Sequence, residues 1–149
     1  MRHHTKDKGD QGVGFVIADL MSCGIQVALP ISEHLPFDCI GISAGGELSR
    51  ISVKFREAKF GRIEVRMRSS WADSAGSHTK LHDLSRYDAT AIYCPQSTEC
   101  YYVLNREVEG STLVLRIDPP KNNQKKQVKL ARHYRDPNRL FIGPGSSVG

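Results

Sequence analysis

The chain has no apolar run approaching the roughly 18 residues that a membrane-spanning helix requires, so nothing in it points to a bilayer. It opens on MRHHTKDKGDQG, a polar and charged stretch without the apolar segment of a secretory leader, and a cytoplasmic location is expected. Cysteine is sparse. Cys23, Cys39, Cys94 and Cys100 form no C-x-x-C pair and have no zinc-like spacing to histidine, which argues against a disulfide framework and a zinc ribbon. Cys39 and Cys94 lie in apolar runs and read as buried small hydrophobes. His78 and His82 have the i, i+4 spacing of paired ligands, but the lack of a third ligand and a polar loop setting argue against a zinc site. There is no internal repeat and no low-complexity block, which excludes solenoid and fibrous architectures.

What is present is an ordinary globular composition, 39% hydrophobic and 25% charged over 149 residues, enough for one domain with a single sizeable core. The domain is expected to span residues 1–142, with GPGSSVG (143–149) as a flexible tail. Twenty-one Lys and Arg against sixteen Asp and Glu give a net charge of +5, compatible with a polyanionic partner without naming one.

Residues 11–23 place Phe15, Val16, Ala18, Leu20 and Cys23 at mixed i+3 and i+4 spacing, which predicts an amphipathic helix capped by Asp10 and ending at Gly24. IQVALP (25–30) reads as a short strand, and Pro36 forces an extended entry into FDCIGIS (37–43). A turn at AGGE leads to LSRISVKFR (48–56), an antiparallel return strand with Ile51, Val53 and Phe55 on one face and Ser52, Lys54 and Arg56 on the other. GRIEVRMRSS (61–70) also alternates and is expected to lie beside the Lys54 strand, carrying Arg62, Glu64, Arg66 and Arg68 on one face. Residues 69–87 show no periodicity and read as a long loop. ATAIYCP (89–95), CYYVLN (100–105) and TLVLRI (112–117) are further strands, and NQKKQVKLARHYR (123–135) predicts a second helix with Val128 and Ala131 inward.

One pair of segments carries chemistry. Asp38 of HLPFDC opens one strand and Lys54 of RISVKFR lies on the next, so a hard oxygen ligand and an ammonium can meet across a strand pair. Such a pair can hold a divalent metal and a scissile phosphate, the lysine stabilising an attacking water or the phosphoryl charge. Taken alone, the same two residues also fit a turn-closing aspartate and a solvated strand lysine.

The order helix, antiparallel strands with acid and lysine on neighbours, then more strands and a helix resembles the restriction-endonuclease fold, the PD-(D/E)xK family. KGDQG at the helix start, LPFD (35–38), VK (53–54), YDATAIYCP (87–95), CYYV (100–103) and RIDPPKNNQKKQVKLARHY (116–134) carry the resemblance, which is nearest to the homing endonucleases of bacterial group I introns. It implies an α/β fold with a restriction-endonuclease-like core, a mostly antiparallel mixed sheet flanked by helices. It further implies Mg²⁺-dependent cleavage of double-stranded DNA, with Mn²⁺ as a substitute, by a homo-dimer or homo-tetramer.

The family's site combines a helix glutamate, the aspartate after the proline, a Glu or Gln two residues before the lysine, and the lysine. Asp38 and Lys54 match; Val13 stands where the helix acid is expected and Ser52 where the pre-lysine residue is. On that pattern Asp38 and the Val53 main-chain carbonyl are the expected metal ligands, with Ser52 beside Lys54 in the catalytic set. Asp10 and Glu64 are the nearest candidates for a replacement acid. Arg56, Arg66, Arg68, Lys121, Asn122, Gln124, Lys125 and Lys126 are the expected DNA contacts. The missing acids keep a second reading open, a catalytically degenerate DNA-binding protein of the same fold.

Overall fold

The computed structural model describes the backbone of residues 4–81, 84–118 and 128–143, and the side chains there except at 68–73, 77–81 and 84. Among the described residues one long helix, α1 (His4–Ser22), precedes nine strands. These are β1 (Gln26–Ala28), β2 (Cys39–Ile42), β3 (Leu48–Phe55), β4 (Arg62–Arg66), β5 (Arg68–Asp73), β6 (Gly76–Leu81), β7 (Ala89–Cys94), β8 (Glu99–Leu104) and β9 (Thr112–Arg116). The main sheet runs β1-β2-β3-β7-β8, antiparallel throughout except for the parallel β3–β7 pair. It is the expected mixed α/β architecture.

Both faces of the sheet are covered. Alternation along β7 sends Ala89, Ala91 and Tyr93 to a cluster with Val16 and Leu20 of α1, and Ile92 and Cys94 to a second cluster with Ile63, Val65, Leu113 and Leu115. The second cover is the two-stranded ribbon β4–β9. Tyr101 and Tyr102 therefore point to opposite faces and are both buried, one in each cluster. All four cysteines are free, and burial pushes the Cys39 and Cys100 thiols up to about 12, so both stay protonated.

Several expectations are corrected. The helix spans His4–Ser22, so Asp10 is exposed within it and not its cap. Its buried stripe is Gly12, Val16 and Leu20, while Phe15 is 47% exposed and stacks on Tyr93 at a centroid distance of 4.0 Å. The basic strand β4 does not hydrogen-bond to β3: β7 takes that place, because Ile63 and Val65 bury onto the sheet face and β4 pairs with β9.

The loop expected over 69–87 contains the β5–β6 hairpin, paired from Arg68↔Leu81 to Asp73↔Gly76. Its Ser- and Gly-rich sequence has no hydropathic alternation, yet backbone pairing suffices. The second helix is absent from the described part of 123–135. Arg116 donates to the Lys129 carbonyl at 2.8 Å, Leu130 bridges Arg116, and Ala131–Tyr134 is a single 3-10 turn with Ala131 buried. Pairing with the edge of β9 satisfies those backbone groups in place of a helix. Residues 123–127, and the tail beyond 143, lie outside the described residues.

Candidate active site

The site grows from the place where β2 begins. Pro36 has no N–H to offer a ladder, and regular pairing starts only at Cys39↔Ile51. Asp38 bridges the gap: its amide donates to the Ile51 carbonyl at 2.8 Å, and its carboxylate Oδ2 accepts the Val53 amide at 2.7 Å. A residue's N–H and C=O point to the same edge of an extended strand, so the Val53 carbonyl is directed toward the edge that Asp38 occupies. Asp38 is exposed, and among the described residues no donor reaches its second oxygen and no cation pairs with it.

Asp88 performs the matching task on the other edge of β3 with a different outcome. Its Oδ2 accepts the Arg50 amide at 2.7 Å and Arg50 Nε at 3.1 Å, and its Oδ1 accepts the guanidinium at 3.2 Å. Burial pushes the Asp88 carboxyl up, but the Arg50 hydrogen bonds and charge outweigh it and hold it below the ordinary 3.8. Asp88 is neutralised by Arg50, whereas Asp38 keeps an oxygen for something else.

Lys54 follows Val53 on the ribbon-facing side of the sheet and is half-buried. Burial holds its ammonium below the ordinary lysine value of 10.5, the Arg56 charge lowers it further, and Asp38 draws it part of the way back. Ser52 shares that face, pairs in register with Thr90 and is only 7% exposed. The structure thus brings Asp38, Ser52, Val53 and Lys54 together over half a strand. Among the described residues no group of three or more His, Cys, Asp or Glu forms a metal cage. Glu64 is engaged with Arg62 at 3.2 Å.

A cavity of about 590 Å³ opens at the end of β3, with Lys8, Arg56, Lys59, Arg62 and Arg66 in its wall. Arg56 and Arg66 were expected DNA contacts and do converge. The Arg68 side chain and Lys121, Asn122, Gln124, Lys125 and Lys126 lie outside the described residues, as do the His78 and His82 side chains. Sequence reasoning missed Lys8, Lys59 and Arg62. The EAKFGR segment held the signal, a glycine between two alternating runs that marks a hairpin bringing its cations together.

A sequence profile of PD-(D/E)XK endonucleases matches residues 3–137, so the chain belongs to that family, and its five-stranded mixed sheet is the scaffold that brings Asp38, at the entry to β2, beside Lys54 on β3. Among solved structures, the bacterial homing endonuclease I-Ssp6803I is similar, with a TM-score of 0.74, 21% identity and 93% of each chain covered. The Holliday junction resolvase Hjc of Archaeoglobus fulgidus gives a TM-score of 0.46 and 11% identity over 73% of this chain and 84% of its own. None of the curated proteins matches the sequence. Among the described residues no helix is long and apolar enough to cross a membrane.

Proposed function

We propose that the chain is a divalent-metal-dependent endonuclease that hydrolyses phosphodiester bonds of double-stranded DNA in the manner of a homing endonuclease. Family membership supports nuclease chemistry. The observation that carries the finer reading is the Asp38 carboxylate, fixed by the Val53 amide through one oxygen while the other has no described partner.

The donor set fits Mg²⁺, or Mn²⁺ in its place: a carboxylate and a main-chain carbonyl are hard oxygens, and Mg²⁺ is commonly held by one or two carboxylates, with phosphate and water completing its shell. Asp38 and the Val53 carbonyl would hold it. Bound there, the ion would lower the pKa of a coordinated water and offset charge at the leaving oxygen. Lys54 stands next along the strand, where its ammonium orients the attacking water and stabilises charge on the phosphoryl group. Its lowered pKa makes a proton easier to release than from a solvated lysine. Ser52 supports Lys54 from the same face. Arg56 and Arg66 meet flanking phosphates, as would Arg68, Lys121, Asn122, Gln124, Lys125 and Lys126.

One site per chain cuts one strand, so duplex cleavage calls for a homo-dimer or homo-tetramer in the cytoplasm. A second reading, a DNA-binding protein of the same fold that has lost its chemistry, is favoured by Val13 at the expected helix-acid position and by the absence, among the described residues, of any group of three or more His, Cys, Asp or Glu that could hold a metal ion.

Nicking of supercoiled plasmid in Mg²⁺ or Mn²⁺ by wild type, Asp38→Ala and Lys54→Ala, with gel shift in Ca²⁺ and light scattering of the free protein, tests the proposal. Metal-dependent cleavage lost in both variants, from a protein with two or four times the 16.6 kDa chain mass, is expected. Salt-sensitive binding without cleavage in wild type would leave only the second reading, and a monomer mass would remove the oligomer.

A further inference from the structure

Phe60 is placed where neither packing nor turn chemistry calls for a phenylalanine. Its side chain is 95% exposed, so it contributes nothing to either core. Its backbone has φ +54 and the following Gly61 φ +74, while Lys59 and Arg62 exchange backbone hydrogen bonds at 2.9 and 3.2 Å. This is a two-residue hairpin turn of the kind whose first position favours Asn, Asp or Gly, because a left-handed conformation crowds any larger side chain. The residue thus carries a backbone cost and an exposed apolar ring that no packing in the fold offsets.

The turn is firmly based. The Gly61 carbonyl accepts the Ile117 and Asp118 amides at 2.8 and 3.2 Å, and a Cβ on Gly61 would stand 2.7 Å from Asp118 Oδ2. The ring is therefore presented from an anchored turn, at the rim of the same cavity that holds Arg56, Lys59, Arg62 and Arg66. Two acids share that wall, and each is already engaged: Glu57 with Lys8 at 3.8 Å and Glu64 with Arg62 at 3.2 Å. Arg56, Lys59 and Arg66 have no carboxylate partner among the described residues. An apolar ring ringed by cations suits a polyanion with an apolar interior; a second copy of this basic chain would bring like charge to like.

We propose that Phe60 is a wedge for duplex DNA: with the phosphates held along the basic cavity, its ring enters a base step, partly unstacks it and bends the duplex. This rests on the DNA-cleaving reading above. It adds a device for deforming the substrate, with a preference for steps that unstack easily.

The test uses closed-circular plasmid relaxed by a topoisomerase in Ca²⁺ with the full chain bound, which reads unwinding on any sequence. Wild type and Phe60→Leu should shift the topoisomer distribution, while Phe60→Asn and Phe60→Ala should lose the shift and bind about tenfold more weakly by gel shift. Phe60→Asn suits the left-handed turn and should melt no lower than wild type, so its loss of unwinding cannot be a folding defect. Equal unwinding by wild type and Phe60→Asn would overturn the wedge. So would wild-type binding without unwinding, or a change of oligomeric mass in Phe60→Asn, which would assign the ring to a subunit contact. Failure of wild type to bind plasmid at all would instead take down the DNA reading and the wedge with it.

Discussion

Asp38 accepts the Val53 amide and Asp88 accepts the Arg50 amide, each at 2.7 Å, on the two edges of one strand. The residues are the same type with the same backbone task, and their surroundings separate them: a guanidinium occupies Asp88 and none occupies Asp38. The placement of Asp38 and Lys54 was legible in the sequence because Pro36 fixes where pairing can start and alternation fixes which face Lys54 takes. The neutralising role of Arg50 was not legible, since Asp88 is brought to it by the β3–β7 pairing across a long sequence separation. Phe60 was missed because exposure and a positive φ are properties of the folded chain.

Lys54 yields a prediction at this scale. Its pKa falls on folding, so it costs stability while charged in both states, and the cost fades as pH rises through its folded value toward 10.5. Lys54→Met should therefore raise Tm by roughly 1–3 °C at pH 7, with the gap to wild type narrowing toward pH 10, while abolishing cleavage. A lower Tm for Lys54→Met in calorimetry would show that the ammonium is held by favourable contacts instead.

At the scale of elements, α1 sits on the sheet through Gly12, Val16 and Leu20. A Cβ at Gly12 would meet Phe55 Cβ at 3.4 Å and Val53 Cγ1 at 3.5 Å, ordinary contact distances. Gly12→Ala should thus stabilise by about 0.5–1 kcal/mol through helix propensity alone. Gly12→Leu should destabilise by about 1–3 kcal/mol by lifting the helix off β3. Urea denaturation of the two variants checks both signs, and a stable Gly12→Leu would mean the interface is looser than these contacts imply. Periodicity found most strands but not their partners. β4 alternates as a sheet strand should, yet its apolar face seats it over the sheet, a choice that only tertiary packing makes. The charged stripe of 123–135 mimics a helix face, while the described part spends its backbone groups on β9 and short turns.

For the whole molecule, β3 lies between β2 and β7 and packs Ile51, Val53 and Phe55 into the cluster under α1, and it carries Ser52, Val53 and Lys54 as a row with Arg56 just beyond its end. On the nuclease reading, that placement makes a reduced acid set workable, because an oxygen ligand already in place needs no reorganisation when phosphate arrives. The overall architecture was legible because helix and strand order follows composition and periodicity; the second cover and the basic cavity arise from contacts between distant segments.

On the proposed reading, the free oxygen of Asp38 serves the chemistry. It is tested most directly by single-turnover cleavage of a labelled duplex in Mg²⁺ by wild type and Asp38→Asn at matched DNA occupancy. Asparagine can still accept the Val53 amide but removes the charge. A rate at least about 100-fold lower, with duplex binding kept, is expected. An Asp38→Asn protein cutting as fast as wild type would contradict it.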